Sequence, residues 1–217
     1  SPHETPPPHT RAMPRAHALI DDLFSTAPAD GPRTLVDDDQ GGIRYWPGFL
    51  PTPLADSWFD ELKTTVAWEA QRRPMYDRIV DVPRLVASYR FEDADVPAPL
   101  IEGARRVRDH LDEPFNAVGL NFYRDGNDSV APHGDKLHML KEGHPIALVS
   151  LGSPRRMTIR DNASRKALHI DLEPGSLLVM SHASQLTHEH GVPKTKAPVG
   201  PRISLAYRVR PPRSARD

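Results

Sequence analysis

The 217-residue chain contains no cysteine. Disulfides and thiolate metal sites are thereby excluded, and any metal must be held by His, Asp or Glu. It also lacks an apolar run near the roughly 20 residues a membrane helix needs, and it lacks the apolar core of a signal peptide. The expectation is a soluble, cytoplasmic protein, monomeric and without a membrane partner. An excess of charge is missing too: Lys plus Arg total 28 against 29 for Asp plus Glu, which argues against nucleic-acid binding through bulk positive charge alone. Charge is nevertheless unevenly placed. Residues 21 to 39 carry Asp21, Asp22, Asp30, Asp37, Asp38 and Asp39, whereas 155 to 166 carry Arg155, Arg156, Arg160, Arg165 and Lys166 against Asp161.

What the chain does have suits one domain of ordinary size. Residues 1–16 are rich in Pro and His without apolar periodicity and read as a disordered arm, its histidines outside any site. A single domain is expected over 17–217, divided into an N-terminal extension and lid (17–115) and a catalytic core (116–210). Short apolar stretches around Gly41 and Gly42 suggest a strand, turn, strand unit carrying Ile43, Tyr45, Trp46 and Phe49 inward. A helix follows, capped by Thr52, with Leu54, Trp58, Phe59, Leu62 and Val66 on one face. Met75 and Tyr76 fall near a turn leading into a strand through Leu85, Ala87 and Tyr89. A second amphipathic helix covers about Pro99 to Asp112. From Asn116 onward the chain breaks into short strands, at 117–123, 146–151, 155–160, 167–172, 176–180 and 202–209. The fold class expected is α+β, mainly β: a double-stranded β-helix, or jelly roll, with supporting N-terminal helices.

Chemistry concentrates in N-F-Y-R-D-G-N-D-S-V-A-P-H-G-D, residues 121–135. His133 and Asp135 are two apart, so in an extended strand both project from one face and can grip one metal. Two imidazoles and one carboxylate leave three adjacent coordination positions free, the arrangement of non-haem iron(II) oxygenases. A third ligand is to be sought among His182, His188 and His190. Arg202 and Arg208, six apart on one strand face, offer guanidinium groups for a small dianion, about 20 Å apart on a straight strand.

Four motifs, N-F-Y-R-D-G-N-D (121–128), H-G-D (133–135), H-G-V-P-K (190–194) and P-R-I-S-L-A-Y-R (201–208), resemble the AlkB family of iron(II)- and 2-oxoglutarate-dependent dioxygenases. The resemblance covers roughly the last 135 residues. It implies Fe(II), 2-oxoglutarate and O₂ as cofactor and co-substrates, and it selects His190, two residues before a proline, as the partner of His133 and Asp135. It further implies that Arg202 clamps the distal carboxylate of 2-oxoglutarate and Arg208 supports its iron-chelating end, with Asn121, Tyr123 and Ser204 beside them. Ser204 stands where many members have asparagine. Tyr76 falls at the family's duplex-probing finger, Tyr89 and Phe91 near its base-binding lid, and Arg160 near its active-site rim.

The reaction implied is oxidative dealkylation of N-alkylated nucleobases of the 1-methyladenine and 3-methylcytosine type in DNA, single- or double-stranded. It is coupled to decarboxylation of 2-oxoglutarate to succinate, with formaldehyde released. Two features depart from the repair members. The segment F-E-D-A-D-V-P-A-P after Arg90 is short and acidic, and Lys136, Leu137 and His138 follow the metal-binding Asp where acidic residues are usual. These departures keep RNA, a protein side chain or a small molecule open as substrates of the same chemistry, with a non-catalytic binding module as a further alternative.

Overall fold

In the computed structural model, residues 31–214 are described; the arm over residues 1–16 lies outside them. The chain runs through β1 (Arg33–Val36), β2 (Ile43–Trp46), α1 (Thr52–Thr65), β3 (Glu69–Met75), β4 (Arg78–Arg90), α2 (Ala98–Leu111), β5 (Ala117–Tyr123) and β6 (Val130–His133). A single 3₁₀ turn (Leu137–Met139) precedes β7 (Ile146–Gly152), β8 (Arg155–Asp161), β9 (Ala167–Leu172), β10 (Leu177–Met180), α3 (Ser184–Thr187), β11 (His188–Val192) and β12 (Arg202–Arg208). Eight strands form one sheet in the order β1-β2-β10-β7-β12-β5-β4-β3, and four form the other, β6-β11-β8-β9. This is the expected jelly roll. Strands from both sides of residue 116 share the larger sheet.

Period-two alternation explains the layering. On β5, Val118, Leu120 and Phe122 join a core shared with α1 and α2, as do Ala147, Val149 and Leu151 of β7 and Ile203, Leu205 and Tyr207 of β12. The intervening Ile146, Leu148 and Ala206 face the smaller sheet, where they meet Met157, Ile159, Ile170 and Val192. Residues of both layers are close-packed, so truncation such as Leu120→Ala costs about 2–5 kcal/mol. The same alternation fixes the site. With Ile203, Leu205 and Tyr207 committed to the helix side, Arg202, Ser204 and Arg208 necessarily project between the sheets.

The helices behave largely as their sequence suggests. Trp58 and Leu62 bury one face of α1. Thr52, however, is inside the helix rather than capping it: Pro51 is the N-cap and no side chain closes the first turn. Pro53 near the start has a fixed φ suited to helix initiation, which makes a side-chain cap less necessary. Helix α2 ends one residue earlier than expected because Asp112 adopts a left-handed conformation (φ 51°) and donates its N–H to the Arg108 carbonyl. Among the described residues no helix is long and apolar enough to cross a membrane.

Candidate active site

His133 is the last residue of β6, paired with His190 of β11 across the smaller sheet. Asp135 is not on that strand, contrary to expectation; it follows in a loop turned by Gly134. A methyl group at Gly134 would overlap the carbonyl oxygen of Gln185. Only glycine lets the loop pass so close. Gln185 also accepts the Asp135 N–H through its Oε1 at 2.9 Å, so α3 pins the loop and aims the carboxylate.

The three candidate ligand atoms lie within 4.8 Å of one another. Asp135 Oδ1 is 3.7 Å from His133 Nε2 and 3.9 Å from His190 Nε2. His133 Nδ1 is 2.8 Å from the Ala131 carbonyl, an acceptor that fixes the proton on Nδ1 and leaves the Nε2 lone pair for a metal. Asp135 Oδ2 receives Nε–H of Arg208 at 2.8 Å. One carboxylate oxygen is thus held by the protein and the other is presented to the two imidazoles.

The electrostatics favour the ligand forms. Burial, with His133 next to it, pushes His190 well below its ordinary value despite the nearby Asp135, so the ring is neutral. Burial pushes the Asp135 carboxyl up, but Arg208, His190 and His133 outweigh it and hold it below the usual carboxylate range. The side chain of His133 is 41 % exposed against 10 % for Asp135 and His190, so the cluster opens on the His133 side. His188, the alternative third ligand, lies elsewhere, with Nδ1 2.7 Å from Thr187 Oγ1 and Nε2 3.8 Å from Asp161 Oδ2. His182 sits in the turn before α3 and outside the cluster.

Two cavities meet at the cluster. One, of about 260 Å³, is lined by Arg84, Asn121, Tyr123, His133, Asp135, His190, Arg202, Ser204 and Arg208 among others. At its closed end Arg202 is fully buried, donating Nη2–H to Ser150 Oγ at 2.8 Å, while its Nε and Nη1 have no partner. Buried unpaired guanidinium nitrogens are costly, and an anionic oxygen acceptor entering this cavity supplies what they lack. Register explains the grouping: Ser204 lies directly across from Asn121 on one side and Ser150 on the other. The second cavity, of about 380 Å³, shares His133, Asp135, Gly119 and Arg208 and adds Ser88, Tyr89, Lys136, Met139 and Leu140.

Some expected residues are placed otherwise. Arg208 grips the Asp135 carboxylate. Asn121 Oδ1 accepts from Arg84 Nε at 2.8 Å. Tyr89 pairs with Val118 and so packs on the helix-side core, although it also borders the larger cavity. Phe91 is not at the site: it stacks on Tyr207 at 6.2 Å, with the Arg108 guanidinium 5.5 Å from its ring. Arg160 is absent from both cavities, because its cross-strand partner is Glu189 and it therefore faces away from Ile159 and His190. Tyr76 does occupy a hairpin tip, 99 % exposed and in a left-handed conformation (φ 56°).

Three contributors were not singled out from sequence. Arg84 stands one residue out of phase with Leu85 and so faces the cavity. Ser150 interrupts the apolar run of β7. Arg155, noted in sequence only within the basic stretch 155–166, is just 3 % exposed and donates to the carbonyls of Asp125, Asp128 and Pro193. The guanidinium groups of Arg155 and Arg202 lie 5.5 and 5.1 Å from the Tyr123 ring.

A two-histidine, one-carboxylate cluster beside a buried arginine with two unpartnered nitrogens defines an iron(II)- and 2-oxoglutarate-dependent dioxygenase, and the chain belongs to the 2OG-Fe(II) oxygenase superfamily, whose sequence model matches residues 42–208. Within it the chain is AlkB-like. It is 32 % identical over 177 residues to the Homo sapiens protein named DNA oxidative demethylase ALKBH2, covering 71 % of this chain and 68 % of that one. It is 29 % identical over 187 residues to the Mus musculus alpha-ketoglutarate-dependent dioxygenase alkB homolog 3, covering 77 % and 65 %. The chain thus spans about two thirds of the length of these curated relatives. The solved structure titled "The structure of OsALKBH1" superposes with a TM-score of 0.56 over 77 % of this chain and 97 % of that one, at 16 % identity, a likeness of fold.

Proposed function

We propose that the protein removes alkyl groups oxidatively from nitrogen atoms of nucleobases in DNA. For a methyl lesion the reaction balances as N-methyl base, O₂ and 2-oxoglutarate giving restored base, formaldehyde, succinate and CO₂. The observation that carries this reading is the presented Oδ1 of Asp135, beside the imidazoles of His133 and His190, at the junction of a cavity that ends in the buried Arg202 and a larger one with room for a base. The name borne by the 32 %-identical ALKBH2 relative supports DNA as the polymer.

In this reading His133, Asp135 and His190 hold iron(II), which supplies oxygen activation when bound with 2-oxoglutarate. The chain's own residues do the remaining work. Arg202, oriented by Ser150, receives the far carboxylate of the co-substrate, with Tyr123 and Ser204 lining its path and Arg84 holding Asn121 at the wall. Arg208 keeps Asp135 in one orientation. Leu148, Met157, Met180 and Val192 give the smaller cavity an apolar wall. The target base enters the larger cavity, which requires it to leave its stack.

The β3–β4 hairpin at the edge of the larger sheet supports a duplex-contacting role. Its tip exposes Met75, Tyr76 and Ile79, and Arg72, Arg73 and Arg78 flank them. An aromatic wedge offsets lost stacking while nearby cations meet phosphates. We place the enzyme in the cytoplasm as a monomer. The test is formaldehyde release from oligonucleotides carrying a single methylated base, with an unmethylated oligonucleotide as control; release from neither contradicts the assignment.

A further inference from the structure

The larger cavity has an unusual charge balance for a pocket that must accept an alkylated base. Its one wall is His133, Gly134, Asp135 and Lys136; Ser88 and Gly119 stand on the sheet side, Met139 and Leu140 form an apolar patch, and Arg208 and Arg210 complete it. Asp135 is the only carboxylate among these lining residues, and both its oxygens are committed, Oδ2 to Arg208 and Oδ1 to the imidazole cluster. Of the other lining side chains, Lys136 brings an ammonium and Ser88 and Tyr89 bring hydroxyls. Such a lining donates hydrogen bonds and repels positive charge.

Alkylated bases divide on that property. Methylation at N1 of adenine or N3 of cytosine gives a ring with a fixed positive charge and an amino donor beside the alkylated nitrogen. Methylation at N1 of guanine or N3 of thymine leaves the ring neutral, with a carbonyl oxygen beside that nitrogen. We propose that Lys136 is a specificity-determining residue that biases this site towards uncharged, carbonyl-bearing lesions, 1-methylguanine and 3-methylthymine, over the cationic 1-methyladenine and 3-methylcytosine. The ammonium donates to the carbonyl in the first group and opposes the ring charge in the second, so attraction and repulsion act in the same direction. This rests on the base-dealkylating reading of the site.

The experiment compares kcat/KM for 3-methylthymine and 3-methylcytosine in otherwise identical single-stranded oligonucleotides, using the full chain with iron(II) and 2-oxoglutarate, in the wild type, Lys136→Gln and Lys136→Glu. The same oligonucleotides are titrated by fluorescence anisotropy against the metal-free protein. Lys136 is exposed, so the variants fold. The expected result is a ratio above one for the wild type that falls by about tenfold or more in Lys136→Glu, as expected for reversing one nearby charge, with Lys136→Gln between and binding ratios moving the same way. Turnover of both lesions at a ratio indifferent to residue 136 overturns the inference and leaves the dealkylation reading intact. Turnover of neither lesion, with succinate still formed, overturns that reading and the inference with it.

Discussion

Arg208 and Asp135 share one hydrogen bond, Nε to Oδ2 at 2.8 Å, and that bond decides which oxygen of the carboxylate is free. The free one, Oδ1, faces His133 and His190. Outer partners of metal ligands typically contribute 10–100-fold to metal affinity. Arg208→Ala should therefore weaken divalent-metal binding by roughly 10–100-fold, measured by calorimetry with manganese as a redox-inert probe. Affinity equal to the wild type would mean that Asp135 is oriented by Gln185 alone.

Arg202 reports on the buried end of the smaller cavity. Charge-assisted hydrogen bonds contribute about 1.5–3 kcal/mol each, so Arg202→Met should raise KM for 2-oxoglutarate by roughly 10–150-fold. Ser150→Ala, which removes one neutral partner of the guanidinium, should raise it only a few-fold. Equal effects would place the co-substrate elsewhere.

Two glycines at the site should respond differently to the same added methyl group. At Gly134 the methyl meets the Gln185 backbone, whereas at Gly119 it meets the end of the Arg208 side chain, 2.7 Å from Nη1. Gly134→Ala should displace the His133–Asp135 loop and abolish metal binding. Gly119→Ala should keep metal binding within about tenfold, because a guanidinium end can shift. Calorimetric titration of both variants distinguishes them.

Acid should destabilise the fold through Asp128. Burial pushes its carboxyl up, but the Arg124 side chain and backbone, with Arg155 nearby, hold it below the ordinary value. The folded state then binds that proton less readily than the unfolded one. Its contribution is present above the ordinary carboxylate range and is lost as pH falls through the lowered folded value. Asp128→Asn should be less stable than wild type at neutral pH and converge with it below about pH 4. Urea unfolding across that range tests this; parallel curves would contradict it.

The exposed hairpin tip should matter for substrate and not for stability. Tyr76 contacts nothing that its loss would uncover, being 99 % exposed. Tyr76→Ala should leave the thermal midpoint unchanged and reduce turnover of a lesion in duplex DNA several-fold more than in single strands. Equal losses on both substrates would deny the wedge role.

The legible and the illegible parts of this site have different physical origins. His133 with Asp135, and Arg202 with Arg208, could be found because metal and carboxylate chemistry demands particular residue types at short spacings, whereas His190 was separated from His182 and His188 only by the family resemblance. Asp135 was misplaced on a strand because two-residue spacing fits a strand and a glycine loop equally. Tyr89 and Phe91 part company in the structure: Leu85, Ala87 and Tyr89 alternate as one face packed on the helix-side core, yet Tyr89 still borders the larger cavity, whereas Phe91 stacks on Tyr207 away from it. Polar residues at the complementary phase, Arg84 and Ser88, mark the cavity side. Arg155 and Arg160 look alike in sequence; five residues apart on one strand, they face opposite ways. Which phase is interior depends on pairing with β11, some thirty residues later.

The most direct test of the whole account is to load the protein anaerobically with iron(II), admit O₂, and follow succinate and formaldehyde with and without an oligonucleotide carrying one N-methylated base. The account predicts that the methylated oligonucleotide stimulates succinate formation and that formaldehyde appears in equal amount. Succinate formed at a rate indifferent to every methylated oligonucleotide, with no formaldehyde, would contradict it.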